Sequence, residues 1–153
     1  MQIKSFHQSD LKEDHVDVYY RKATPRIQEI LAYLRKHEDQ LYGMKEDRKI
    51  AFSIHDVFYF ESVDKRTFAY LQDDILRMDL RLQELEELFH DAGFIRVNKS
   101  TILNIYKIKE LTSDFNMRIV AILENEEKIQ INRSYKAKFN QFLKEMEEKR
   151  RIQ

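Results

Sequence analysis

The chain has 153 residues, and its 27 Lys and Arg balance its 27 Asp and Glu. That length suits one ordinary domain with an extension, and it buries a core without metal or disulfide staples. With no Cys, two Gly and no window near the ~18 apolar residues of a bilayer span, cysteine–zinc sites, thiol catalysis, disulfide frameworks, glycine-rich phosphate loops and spanning helices are excluded. The lack of Cys fits a reducing, cytoplasmic compartment. Met1 to Lys22 has no apolar stretch of the signal-peptide kind. The zero net charge is a regional sum: residues 1–45 carry +1, residues 46–91 carry −6 and residues 92–153 carry +5. The basic last third is therefore a candidate electrostatic footprint.

In chain order, Val16, Val18 and Tyr20 alternate with Asp17, Tyr19 and Arg21, the pattern of a half-buried strand. Thr24-Pro25 opens a helix, with Thr as N-cap and Pro in the first turn. Ile27, Ile30, Leu31 and Leu34 give it one apolar stripe, and it fades between Glu38 and Tyr42. The polar segment Gly43 to Lys49 reads as a boundary. Short strands follow at Lys49–Ser53, Val57–Val63, Thr67–Leu71 and Ile75–Asp79, with a turn at Val63-Asp64-Lys65-Arg66. Asp79 caps a helix with the stripe Leu82, Leu85, Leu88 and Phe89, which Gly93 stops. Phe94–Val97 is a strand, and Ile102–Leu111 is broken and left unassigned. Met117–Leu123 is apolar on both faces, as a covered central strand would be. Asn125-Glu126-Glu127 turns the chain into Ile129 and Ile131. Ser134 caps a last helix that buries Tyr135, Phe139, Phe142, Leu143 and Met146. The expected organisation is a strand–helix extension over 1–47 and a mainly β domain of the α+β class over 48–153.

No catalytic constellation stands out. His7, His15, His37, His55 and His90 share no zinc-ligand spacing. Glu84 and Glu87 form a solvated helix face, because nothing apolar is placed to raise a carboxyl pKa. Asp73-Asp74 reads as a turn, and Ser100 and Ser134 have no neighbouring His. No enzymatic activity, cofactor or metal is expected. The basic residues Arg96, Lys99, Lys107, Lys109, Lys128, Arg133, Lys136 and Lys138 spread over short elements and loops. On composition alone they are solubility charges. No helix gathers them as a helix-turn-helix reader would, so any DNA contact falls to loops.

Three segments carry a resemblance. They are Val57-Phe58-Tyr59-Phe60-Glu61-Ser62, Phe94-Ile95-Arg96-Val97-Asn98-Lys99-Ser100-Thr101-Ile102-Leu103-Asn104 and Ile129-Gln130-Ile131-Asn132-Arg133-Ser134-Tyr135. With the Leu-Gln-Glu-Leu-Glu-Glu-Leu helix between the first two, their order and spacing resemble the LytTR DNA-binding domain over Arg48 to Leu143. The resemblance implies small antiparallel sheets with short helices. It also implies a bacterial transcription regulator that inserts inter-strand loops into successive major grooves, commonly as pairs of protomers. By position, three places should face double-stranded DNA: Lys65-Arg66-Thr67, Asn98-Lys99-Ser100 and Arg133-Ser134-Tyr135. Arg133 and then Lys99 suit a guanine edge, and Arg66 suits bases or phosphates. Asn98, Ser100 and Tyr135 suit phosphates and register. Arg96 is expected to pair structurally with a carboxylate such as Glu61, Asn104 to fix a turn through local backbone, and Ser134 to cap its helix besides any DNA contact.

Two features depart from the family. Many members carry His where Asn98 stands. Most place a phosphoacceptor receiver domain ahead of this module, for which residues 1–47 are too few. The expectation is thus the stand-alone type, a homodimer without phosphorylation control. In such cases a small integral membrane protein is often encoded alongside as regulator. The extension either dimerises, docks such a regulator, or completes the fold. The rival function is a protein-interaction or signalling module governed by a partner, without DNA binding of its own.

Overall fold

The computed structural model describes residues 1–12, 15–36 and 40–152. The chain forms two units, Met1–Arg35 and Lys36–Gln153. In the first, helix α1 runs Pro25–Lys36. Thr24 Oγ1 accepts the Ile27 N–H at 3.3 Å and the Thr24 carbonyl accepts the Gln28 N–H at 2.9 Å, as the expected cap requires. The alternation at Val16–Tyr20 does not become a strand. Among the described residues no neighbour supplies a ladder, and Val16 and Tyr19 stand largely in solvent. The expected fading of α1 at Glu38 lies outside the described residues.

The second unit holds ten strands. β1 (Leu41–Lys45), β2 (Arg48–Phe52), β3 (Tyr59–Val63), β4 (Arg66–Tyr70) and β5 (Ile75–Met78) precede α2 (Leu82–Phe89). β6 (Phe94–Asn98), β7 (Thr101–Asn104), β8 (Ile108–Ser113), β9 (Ile119–Leu123), β10 (Lys128–Gln130) and α3 (Lys136–Ile152) complete it. Every pair is antiparallel. One sheet has the order β2-β1-β5-β4-β3-β7-β6, the other β10-β9-β8. The mainly β expectation holds.

Several local readings change. Leu41–Lys45, assigned to the extension by sequence, is a strand of the large sheet. Gly43 serves packing there rather than a turn: a Cβ at this position would lie 2.5 Å from Leu76 Cβ on β5. α2 starts after Arg81 with no side-chain cap, so Asp79 does not cap it. Leu88 faces solvent, which narrows the apolar stripe of α2 to Leu82, Leu85 and Phe89. Gly93 does follow the helix, at φ +99, where a Cβ would press on the Tyr106 ring at 2.5 Å. The unassigned stretch becomes β7, a 3-10 turn at Ile105–Lys107 and β8. β9 is the central strand of the small sheet, as its two-faced apolarity suggests. Asn132 caps the 3-10 turn Arg133–Tyr135 that leads into the last helix, and the Ser134 N–H and hydroxyl are bonded to it.

The core has two layers. On one face of the large sheet α2 packs on Phe60, Ala69, Leu76, Phe94 and Ile102. On the other, Tyr59, Val97 and Leu103 meet Ala121 and Leu123 of β9 and Phe139 and Phe142 of α3. The segment Val57–Phe60 is buried throughout and feeds both layers, Val57 and Phe60 the first and Phe58 and Tyr59 the second. Asn104, 2% exposed, closes the joint between the sheets. Its Nδ2 donates to the Val57 carbonyl at 2.8 Å and its Oδ1 accepts the Tyr106 N–H at 3.0 Å. The local bond is the expected one, and the bond to Val57 is a long-range addition.

Asn104→Ala strands a buried carbonyl. It should cost about 2–3 kcal/mol, read as a lower urea midpoint at unchanged slope. Gly43→Ala should cost about 1–3 kcal/mol by overpacking against Leu76, with the same readout.

Candidate nucleic-acid interface

The β3–β4 connection is a two-residue hairpin. Asp64 and Lys65 both have positive φ, 53° and 64°, the twist of a type I′ turn. It presents Lys65 and Arg66 to solvent. Thr67 belongs to β4 and is 6% exposed, so its side chain faces inward and not outward as the sequence suggested.

The β6–β7 turn lies at the same end of the sheet. β7 runs antiparallel to β3, with Glu61 opposite Thr101, and the Ser62 N–H donates to the Ser100 carbonyl at 2.8 Å. Asn98 Oδ1 accepts from the Ser100 N–H at 2.9 Å and the Ser100 hydroxyl at 3.1 Å. This Asx turn lifts Lys99 into solvent. Arg96 braces it from behind, donating to Glu86 of α2 at 2.8 Å and to the Lys99 carbonyl at 2.8 Å. Arg96 is therefore structural as expected, but its partner is Glu86 and not Glu61.

The third segment is tied to the second. The Asn132 N–H donates to the Val97 carbonyl at 2.8 Å. Asn132 Oδ1 then accepts from the Ser134 N–H at 3.3 Å and the Ser134 hydroxyl at 3.4 Å. Asn132-Arg133-Ser134 thus repeats the device of Asn98-Lys99-Ser100: an Asn side chain closing on a Ser two residues later, with a cation displayed between them. Tyr135 is half-buried and packs on the second core layer. It anchors the segment and does not offer a free surface.

Between the two sheets this end opens into a cleft whose walls include Glu61, Asn98, Arg118, Lys128, Gln130 and Arg133. Arg118, Lys128 and Gln130 are additions to the sites read from sequence. The signal for two of them was available: Lys128 and Gln130 alternate with the inward Ile129 and Ile131. At the other end of the β3–β4 pair, Tyr59 stacks on Tyr70 with ring centroids 4.3 Å apart. Burial, then the Glu127 carboxylate beside it, push the Tyr59 hydroxyl far above its ordinary pKa, and burial and Glu61 raise Tyr70 likewise. Both phenols stay neutral.

Ion pairing sorts the basic residues. Arg96, Lys107 and Lys109 pair with Glu86, Glu124 and Glu126. Lys65, Arg66, Lys99, Lys128 and Arg133 have no such partner among the described residues, and all are exposed. The three loop segments together present unpaired cations at one end of the fold. Among the described residues no group of His, Asp and Glu could hold a metal ion, and no helix is long and apolar enough to cross a membrane. Strands separate all three helices, so no helix-turn-helix pair is formed among the described residues.

Comparison with known proteins agrees with this geometry. The chain is 26% identical over 113 residues to the transcriptional regulatory protein YpdB of Escherichia coli (strain K12), covering 73% of this chain and 46% of that protein. It thus spans about half the length of that relative. It is 26% identical over 137 residues to a Staphylococcus aureus (strain NCTC 8325 / PS 47) protein described as an uncharacterized HTH-type transcriptional regulator, covering 88% and 92%. The solved LytTr DNA-binding domain of a response regulator from Bacillus cereus superposes with a TM-score of 0.65 at 26% identity, covering 69% of this chain and 97% of that one. Residues 47–144 match the family model of the LytTr DNA-binding domain. With that match over most of its length and the same fold, the chain belongs to the LytTR DNA-binding domain family.

Proposed function

We propose that the chain is a DNA-binding transcription regulator that reads duplex DNA through the loops at one end of its two sheets. The observation that carries this is the unpaired cations of three adjoining turns, on a fold whose family is a DNA-binding domain. Arg133 and Lys99 sit at the crests of matching Asx turns, fixed in place before any ligand arrives. A fixed Arg fork suits guanine O6 and N7 in the major groove. Lys65 and Arg66 at the hairpin tip, with Lys128 in the cleft, suit phosphates. Asn98, Ser100 and Ser134 act through turn geometry, since their polar atoms are engaged with one another. The reading needs no catalytic group, and it places the protein with the DNA in the bacterial cytoplasm.

We further propose that the first unit joins two protomers. Its Val16 and Tyr19, ahead of α1, are 72% and 90% exposed, apolar surface that a partner would cover. A regulator docking there, such as a small membrane protein, would compete with the second protomer.

Binding to a duplex from the chain's own upstream region, titrated at several salt concentrations, tests the first proposal. If a protomer neutralises about four phosphates, log K falls against log salt with a slope of about −3.6. Arg133→Ala should cost about 1–3 kcal/mol of discrimination between cognate and scrambled duplexes. Unchanged discrimination would remove Arg133 from base reading, and salt-independent binding would favour the interaction-module rival. For the second proposal, a chain starting at Gln40 keeps all ten strands and should sediment as a folded monomer where the full chain is a dimer. Equal sedimentation of the two as monomers would overturn it.

A further inference from the structure

We propose that the Asp114–Arg118 turn between β8 and β9 is a further DNA-contacting element, in which Phe115 packs on a thymine C5-methyl while Arg118 holds a nearby phosphate. The inference deepens the loop-reading function above and rests on it.

Position comes first. The Ile131 N–H donates to the Ile119 carbonyl at 2.9 Å, so β9 starts beside the chain that leads into Asn132 and Arg133. The turn before β9 therefore leaves the small sheet at the interface end. Arg118 lines the same cleft as Arg133. Phe115 is three residues from Arg118, at most about 10 Å of extended chain, or about three base steps of 3.4 Å. A duplex seated on Arg133 and Arg118 is within its reach.

The turn is also built to hold one shape. The Asp114 N–H donates to the Arg118 carbonyl at 3.0 Å. Asp114 Oδ1 accepts the N–H groups of Asn116 and Arg118, both at 2.9 Å, and Oδ2 accepts Gln130 Nε2 at 2.9 Å. These bonds, the Arg118 N–H foremost, hold the carboxyl below its ordinary pKa and occupy both of its oxygens. The carboxylate stays ionised as the brace of the loop, with the Arg118 cation beside it.

What the brace displays is costly in the free protein. Phe115 is fully exposed at 108%, Met117 is 75% exposed, and Met117 holds a left-handed φ of 61°. An exposed aromatic on a strained, rigid tip is the signature of a surface that a partner covers. The partner must tolerate cations beside the aromatic, which suits an anionic surface with an apolar spot. In the major groove the base edges offer one such spot, the thymine methyl.

The experiment uses the full chain and a thymine-containing duplex enriched from a random library by the unmutated protein. Phe115→Ser should bind that duplex about tenfold more weakly with an unchanged salt slope, because no charge is lost, and with an unchanged melting temperature. Replacing thymine by uracil at the contacted position should weaken the unmutated protein and leave Phe115→Ser unaffected. Equal affinity of Phe115→Ser and the unmutated protein, while Arg133→Ala binds more weakly, would overturn this inference and leave the loop-reading function standing. Failure of the library to yield any enriched duplex would overturn both.

Discussion

The turns at this end depend on a segment buried on both faces, the run that leads into β3. Val57–Phe60 sends Val57 and Phe60 to the α2 layer, and Phe58 and Tyr59 to the small sheet and α3. A strand covered on both sides cannot slip register without exchanging its two apolar sets and exposing its polar neighbours. β7, paired beside it, is equally enclosed: Thr101 to Asn104 are all buried. The Asn104 amide then locks the two together where the chain leaves the large sheet. Fixing these strands fixes where they end, and the β3–β4 and β6–β7 turns are those ends. The loops inherit a rigid frame without any packing of their own.

Within that frame a single local device is used twice. Asn98-Lys99-Ser100 and Asn132-Arg133-Ser134 each satisfy an Asn oxygen with the N–H and hydroxyl of the Ser two residues on. The side chain of the middle residue has no role in these bonds and is free to be a cation. Its backbone is already ordered by these bonds, so engaging a ligand there would cost less conformational entropy. The Asn132–Val97 bond sets the two copies side by side. Asp114 builds a third braced turn from a carboxylate and three N–H donors. Loops shaped this way can do what a recognition helix does elsewhere, namely hold a few side chains at fixed offsets.

Elements whose stability is local or whose pattern is strong were legible in the sequence. The α1 cap, the Val63–Arg66 hairpin and the two-faced β9 each follow from a few adjacent residues. Two of the failures share a cause: the deciding partner lies elsewhere in the sequence. Gly43 looked like a boundary because its reason, Leu76, lies 33 positions away. Arg96 found Glu86 because α2 packs over β6, which no spacing announces. Thr67 looked outward because it follows an exposed hairpin tip, yet strand alternation had already turned it inward. Lys65, Arg66, Asn98, Lys99, Ser100 and Arg133, named together through resemblance, lie on neighbouring turns at one end of the fold. Arg118 was absent from that reading because only the β8–β9 pairing brings it to the cleft.

Zero net charge remains to be squared with an anionic partner. Charge acts on DNA over about one Debye length, roughly 8–10 Å at moderate salt. α2, with exposed Glu84 and Glu87, covers the face of the large sheet opposite the cleft. Packed layers lie about 10 Å apart, so those carboxylates are largely screened from a duplex on the cleft side. Of the nearer acids, Glu86 is paired by Arg96 and Glu124 and Glu126 by lysines, while Asp114 braces its turn and Glu61 and Asp64 stand beside the cations. In the proposed reading, a duplex at this end meets the unpaired cations of the turns alongside these two carboxylates. The acidic remainder lowers the long-range attraction that would hold the protein on any DNA. A neutral chain of this kind gains little from charge alone. Its preference for one site over others must then come from the few side chains that its turns hold in place.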